Sequence, residues 1–159
     1  MPAKVRRAAI EAERALTAAR VRHLICGGIA VAAHGYERST KDVDFLVGDE
    51  AFNKVGKIVF PRPDIPFEVD GVLIDLVTNP SIQTLVENEL NTNTGKVVSL
   101  PFLVLMKLIA YRDRDKNDIV ELLKLDADRA DFVVSTLSGI PTALKTRLAG
   151  CVLLSRKSL

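Results

Sequence analysis

The spacing of apolar residues divides the chain into an N-terminal helix, a middle part of strands and short helices, and a helical last third. Helical periodicity predicts helices over about 4–20, 29–33, 50–58, 79–90, 101–112, 115–125, 128–138 and 141–154. Short apolar runs predict strands over 23–26, 42–47, 65–69, 72–77 and 97–98, and Asp70-Gly71 predicts a tight hairpin turn between two of them.

This order predicts an α+β fold of α/β-like character, with a small mixed sheet flanked by helices. The length of 159 residues favours one domain. We therefore expect a single domain over 1–159, with a core over about 20–100 and a helical part over 101–159.

Composition narrows the class of protein. Apolar residues make up 48% and charged residues 26% of the chain, which excludes intrinsic disorder. The net charge of only +2 argues against a protein that coats nucleic acid. Cys26 and Cys151 stand far apart, which argues against a disulfide scaffold. There is no secretory signal pattern and no apolar run of membrane-spanning length, so we expect a soluble, cytoplasmic protein that spans no membrane.

Three aspartates form the candidate chemical centre. Strand alternation over 42–47 puts the carboxylates of Asp42 and Asp44 on one face, where hard oxygen donors suit Mg²⁺ or Mn²⁺. Asp75 lies in a wholly apolar run, which predicts a strand buried on both faces. If that strand lies beside 42–47, Asp75 joins the other two aspartates, and a divalent cation would offset their repulsion.

Candidate phosphate contacts flank these aspartates in sequence. Gly27 and Gly28 follow a strand and open a helix, which lets a phosphate approach backbone N–H groups; a plain turn is the alternative. Arg38 either contacts a phosphate or pairs with Glu37 or another nearby acid. Thr40 either touches the ligand or fixes its own turn by a local hydrogen bond.

Lys107 is the one charged residue in a strongly apolar helix. It either extends its amine to solvent or reaches nucleotide phosphates. Farther along, Arg114 and Asp118 have the spacing of an ion pair on a helix surface. The apolar run 152–154 either seals the core or docks a second subunit.

The motifs together resemble a known superfamily. An apolar strand, Gly27-Gly28, a short helix, the pattern Arg38-x-Thr-x-Asp42-x-Asp44 and a later strand aspartate are similar to the polymerase-β-type nucleotidyltransferases. Thirteen residues, 29–41, separate the glycines from Asp42. The details are most similar to the small AbiEii-type nucleotidyltransferases, many of which act as toxins in toxin–antitoxin pairs, and the resemblance extends to the cluster that follows Lys107.

The resemblance implies the nucleotidyltransferase fold and transfer of a nucleoside monophosphate from an NTP to a hydroxyl acceptor. It implies that Asp42, Asp44 and Asp75 bind metal and act in catalysis, and that Gly27, Gly28, Arg38, Thr40 and Lys107 bind the nucleotide. The acceptor, whether tRNA, a protein hydroxyl or a small molecule, is left open, as is a cognate partner protein or a homodimer. A catalytically inactive module that binds a nucleotide or a partner on the same fold is the alternative.

Overall fold

The computed structural model describes residues 1–157, which form a mixed α+β protein with a small sheet and many helices. Two compact units divide the chain: the first comprises residues 1–30 and 37–98, and the second comprises residues 31–36 and the chain from Ser99 onward. The helices are α1 (Ala3–Ala18), α2 (Gly27–Ala33), α3 (Gln83–Thr92), α4 (Leu100–Ala110), α5 (Asp113–Lys124), α6 (Ala127–Thr136) and α7 (Thr142–Lys157). The strands are β1 (His23–Cys26), β2 (Val43–Val47), β3 (Phe52–Val55), β4 (Ile58–Pro61), β5 (Glu68–Val69) and β6 (Val72–Val77).

A four-stranded sheet in the order β1-β2-β6-β5 is the centre of the first unit. β2 runs parallel to β6, and the two outer pairs are antiparallel. Alternate residues of the central strands, including Val43, Phe45 and Ile74, are buried against the stripe of α1 that contains Ala8, Ala12 and Leu16. This packing fixes which residues of β2 and β6 face away from α1.

The hairpin between β5 and β6 is confirmed. Asp70 and Gly71 form its turn with φ values of 50° and 79°, the left-handed conformation that a type I′ turn requires. The predicted first strand, 65–69, is shorter in the structure and begins at Glu68. Pro66 has no backbone N–H for a sheet ladder, which accounts for the late start.

The predicted helix over 50–58 is wrong. One 3₁₀ turn, Asp49–Ala51, is followed by β3 and β4, which form a separate two-stranded sheet. Gly56 has a φ of 59° in the tight connection, and the β-branched residues on either side favour extended backbone.

In the second unit, α4 is buried along most of its length, and α5, α6 and α7 pack around it. The side-chain hydroxyl of Ser99 caps its N-terminus by accepting a hydrogen bond from the backbone N–H of Phe102 at 3.4 Å. Tyr111 ends the helix in the left-handed conformation, with a φ of 47°. No helix within residues 1–157 combines the length and the hydrophobicity needed to cross a membrane.

An ion-pair network joins three segments of the first unit. Arg22 binds both carboxylate oxygens of Glu50, at 2.8 and 2.9 Å, and also contacts Glu87 of α3. The hydrogen bond from Arg22 lowers the pKa of Glu50 to about 2. The network thus ties the start of β1 to the 3₁₀ turn and to α3.

We expect this network to make the free energy of unfolding decrease as the pH falls below about 4.5. A carboxyl with a lowered folded-state pKa stabilises the fold above its unfolded pKa of about 4.5, and this contribution is lost as the pH falls toward about 2. Because both side chains are partly exposed, the contribution is about 1–2 kcal/mol. Glu50→Gln should lose this contribution at neutral pH. The free energy of unfolding, measured with urea at a series of pH values, should then fall less steeply at acid pH than it does in wild type. Glu11→Gln, on the exposed face of α1, is the control, and an unchanged acid limb in Glu50→Gln would contradict the assignment.

Candidate functional site

Two carboxylates lie side by side on neighbouring parallel strands. The register pairs Asp44 of β2 with Asp75 of β6, and Val43 with Ile74. Because paired residues of a parallel ladder share a face, both aspartates lie on the sheet face opposite α1, on strands about 4.8 Å apart. Asp44 is half-buried and Asp75 is exposed. The strand of Asp75 therefore does lie beside that of Asp44, which was the condition for Asp75 to join it.

The predicted burial of β6 on both faces is wrong. The strand alternates between buried and exposed residues from Val72 to Asp75, and Leu73 is 49% exposed. The sequence conceals this alternation because the residues around Asp75 are apolar on both faces. Leu73, two residues before Asp75, is thus an apolar residue of the candidate site face that the sequence pattern missed.

Asp42 lies one residue before β2, in a bend, and is exposed. The predicted strand began one residue too early, so sheet alternation does not set the position of Asp42. Asp42 is near the candidate site because it precedes Asp44 by only two residues in the chain.

The backbone at the start of α2 lies against the carboxylate of Asp44. Gly27 has a φ of 63°, and a Cβ placed on it would lie 2.0 Å from Asp44 Oδ2. Only glycine permits this approach, both for its conformation and for its lack of a side chain. Cys26, the residue before it, is the β1 neighbour of Asp44 in the sheet and is buried.

Gly28 makes a second close approach, to the segment that precedes β2. A Cβ there would lie 2.6 Å from Thr40 Oγ1 and 3.3 Å from Arg38 Nη1. The hydroxyl of the buried Thr40 donates to the carbonyl of Arg38 at 3.4 Å, and the Arg38 guanidinium donates to the carbonyl of Ser39 at 3.2 Å. The local hydrogen bond foreseen for Thr40 is therefore present.

These contacts bring most of the sequence-predicted residues into one region of the first unit. Asp75 adjoins Asp44, Asp44 adjoins Gly27, and Gly28 adjoins both Arg38 and Thr40. Two acidic and one basic side chain thus lie around a turn with two glycines. The space that a side chain would take at these glycines is filled by Asp44 at Gly27 and by Thr40 and Arg38 at Gly28.

Lys107 belongs to the second unit and is buried among carboxylates. Its ammonium lies 2.7 Å from Asp118 and 3.4 Å from Asp115. Burial opposes ionisation of Asp115, but hydrogen bonds from Arg112 and the charge of Lys107 outweigh it and lower its pKa. The reading in which Lys107 extends to solvent is wrong, because its side chain is only 8% exposed. Its role as a phosphate contact stays a prediction.

The predicted surface pair of Arg114 with Asp118 is also wrong. Asp118 is fully buried and pairs with Lys107 on the preceding helix. Helical spacing alone indicated Arg114 as its partner, but burial removes Asp118 from the helix surface.

Of the three predicted aspartates, the structure pairs two, Asp44 and Asp75, as possible carboxylate ligands of a divalent cation. Within residues 1–157, no group of three or more His, Cys, Asp and Glu side chains is gathered as a complete metal site. Mg²⁺ in phosphoryl-transfer sites is commonly held by one or two carboxylates together with substrate phosphates. Asp44 and Asp75 supply such carboxylates on adjacent strands.

No family model matches the chain, and no curated protein matches it at a significant level. The resemblance to nucleotidyltransferases therefore depends on its motifs.

Proposed function

We propose that this protein is a metal-dependent nucleotidyltransferase, with the nucleotidyltransferase fold, that transfers a nucleoside monophosphate from an NTP to a hydroxyl acceptor. The observation that carries the proposal is the pairing of Asp44 with Asp75, with the Gly27 backbone against the Asp44 carboxylate. It joins a hard-oxygen donor set to a glycine turn that has the Arg38 guanidinium beside it. Both features are needed to align an NTP with an attacking hydroxyl.

In this mechanism the acceptor oxygen attacks the α-phosphorus of the NTP, and the bond from that phosphorus to the bridging oxygen breaks to release pyrophosphate. Asp42 and Asp44 would hold the metal and, through it, the triphosphate, and Asp75 would help to hold the metal beside the attacking hydroxyl. Bound Mg²⁺ or Mn²⁺ would neutralise phosphate charge and promote deprotonation of the hydroxyl. A carboxylate oxygen of Asp75 then accepts the hydroxyl proton.

The residues around the glycine turn orient the triphosphate. Gly27 and Gly28 would offer backbone N–H groups at the start of α2 to the phosphate oxygens, and the Arg38 guanidinium, which lies beside Gly28, would supply positive charge. The Thr40 hydrogen bond to the Arg38 carbonyl supports the turn that presents this guanidinium. The acceptor is a hydroxyl of tRNA, of a protein or of a small molecule, and a role in a toxin–antitoxin pair accords with the motifs.

A second candidate function is a module that binds a nucleotide or a partner without catalysis. The contacts of Lys107 favour it, because an ammonium engaged by Asp118 at 2.7 Å is less available to a phosphate. The two candidates differ in whether bound NTP is turned over.

The deciding experiment combines binding with label transfer. The full chain is incubated with Mg²⁺ and each α-³²P-labelled NTP, in separate reactions with total RNA, total protein and small alcohols. We expect one NTP to transfer label, and we expect Asp42→Ala and Asp44→Ala each to abolish transfer. Asp49→Asn, an exposed aspartate five residues beyond Asp44, should transfer as wild type does. Transfer that survives both alanine substitutions would overturn the assignment, and Mg²⁺-dependent NTP binding without transfer would establish the second candidate.

A further inference from the structure

A surface of the second unit combines exposed apolar residues with two oppositely charged halves. α6 contributes an acidic half, and α7 contributes a basic half. We define this dipolar face by six exposed residues: Asp128, Asp131 and Phe132 of α6, and Leu153, Arg156 and Lys157 of α7.

The two halves are adjacent on one surface. Asp131 and Arg156 form an ion pair of 3.3 Å that links α6 to α7. Phe132 lies one helical turn after Asp128, and Leu153 lies one helical turn before Arg156, so each apolar side chain shares a helix face with a charged residue of the dipolar face. Phe132 is 57% exposed and Leu153 is 56% exposed. Of the two alternatives for the run 152–154, sealing the core does not hold for Leu153.

The charge pattern decides which partner fits. α7 contains no acidic residue, so two α7 helices facing each other would repel. A twofold axis through the Asp131–Arg156 pair would instead set the acidic half of one copy on the basic half of the other. Such isologous pairing requires a surface that is complementary to itself, which the dipolar face is.

We propose that the dipolar face is the interface of a homodimer, with α6 of each copy packed against α7 of the other. Phe132 and Leu153 supply the apolar contacts on either side of the twofold axis, and the pairs between Asp128 and Lys157 of opposite copies set the register. The internal Asp131–Arg156 pair offers little resistance, because an exposed ion pair is readily exchanged for one across the interface. This interface is independent of the proposed catalytic activity.

Sedimentation velocity of the full chain over a range of concentrations tests the proposal. Wild type should sediment as a dimer that dissociates on dilution, and its Kd should rise with salt. Leu153→Glu and Phe132→Glu should each raise the Kd about tenfold or more. Leu85→Glu, at an exposed apolar position of α3, should leave the Kd unchanged.

Charge reversal adds a test that a folding defect cannot imitate. Asp128→Lys and Lys157→Glu should each weaken the dimer, and the double variant should restore most of the affinity, because it re-forms the pair with the signs exchanged. A wild type that stays monomeric at every concentration overturns the proposal. So does a dimer that resists both glutamate substitutions, or a double variant no tighter than the singles.

Discussion

Asp75→Asn is expected to lower the rate of nucleotide transfer by about a hundredfold to a thousandfold while the Kd for Mg²⁺–NTP stays within about threefold of wild type. Asparagine keeps the size of the side chain on the exposed face of β6 but cannot accept the proton of the attacking hydroxyl. Asp44→Asn should differ, because the Asp44 carboxylate lies against Gly27, in the proposed triphosphate site, and the substitution should weaken NTP binding as well. Steady-state label transfer and calorimetric NTP binding, measured on both variants, separate the two effects.

The division of roles between the two aspartates is what this comparison tests. Asp49→Asn should match wild type in both measurements, which controls for loss of a surface charge near the site. Equal losses of binding in Asp75→Asn and Asp44→Asn would mean that Asp75 holds the nucleotide complex rather than the acceptor proton. A wild-type rate in Asp75→Asn would remove Asp75 from the catalytic mechanism.

The sequence predicted correctly those helices and strands in which the spacing of apolar residues follows one period throughout. The stripe of small and apolar residues in α1 and the apolar runs of β1 and β6 fall within two residues of their predicted bounds. The β3–β4 hairpin was not predicted, because a helical turn does form at Asp49–Ala51. The residues that signal the start of a helix were therefore interpreted correctly, but the chain does not continue as a helix after this turn. Strand propensity around Gly56 then outweighs the start signal.

The candidate site was partly predictable because Asp44 and Asp75 are aspartates within apolar strands, although the expected cost of burying Asp75 does not apply to an exposed side chain. An aspartate within an apolar strand indicated a special position for Asp75, and the parallel register beside Asp44 agrees with it. Its exposure was not predictable, because periodicity cannot assign faces where both neighbours are apolar. The close approach of Gly28 to Thr40 depends on how the segment before β2 returns to α2, which sequence spacing does not encode.

The contacts of Lys107 were hidden for a similar reason. Asp118 lies eleven positions after Lys107 in the chain, and side chains that far apart in one continuous helix are not in contact. The two meet because α4 ends at Tyr111 in the left-handed conformation and α5 then packs back against α4. The packing of α5 against α4, which the local sequence pattern does not reveal, therefore buries Asp118 as a counterion of Lys107.

Asp118→Asn is expected to lower the free energy of unfolding by about 3–5 kcal/mol, the usual cost of leaving a buried charge without its closest counterion. Lys107 is 8% exposed in its side chain and lies 2.7 Å from this carboxylate, so water cannot readily replace the lost partner. Urea unfolding followed by circular dichroism measures the change. Asp113→Asn, at the exposed start of the same helix, should cost no more than about 1 kcal/mol.

A double variant separates the electrostatic cause from a simple packing defect. Lys107→Met leaves Asp118 buried without its cation and should also be strongly destabilising, whereas Lys107→Met with Asp118→Leu removes both charges together. Because apolar replacement of a buried ion pair is often neutral, the double variant should recover most of the stability lost in either single variant. Additive losses would show that the two side chains stabilise the second unit independently, by shape rather than by charge. Recovery would instead establish that Lys107 and Asp118 stabilise this interior as a charge pair, with Arg112 remaining as the counterion of Asp115.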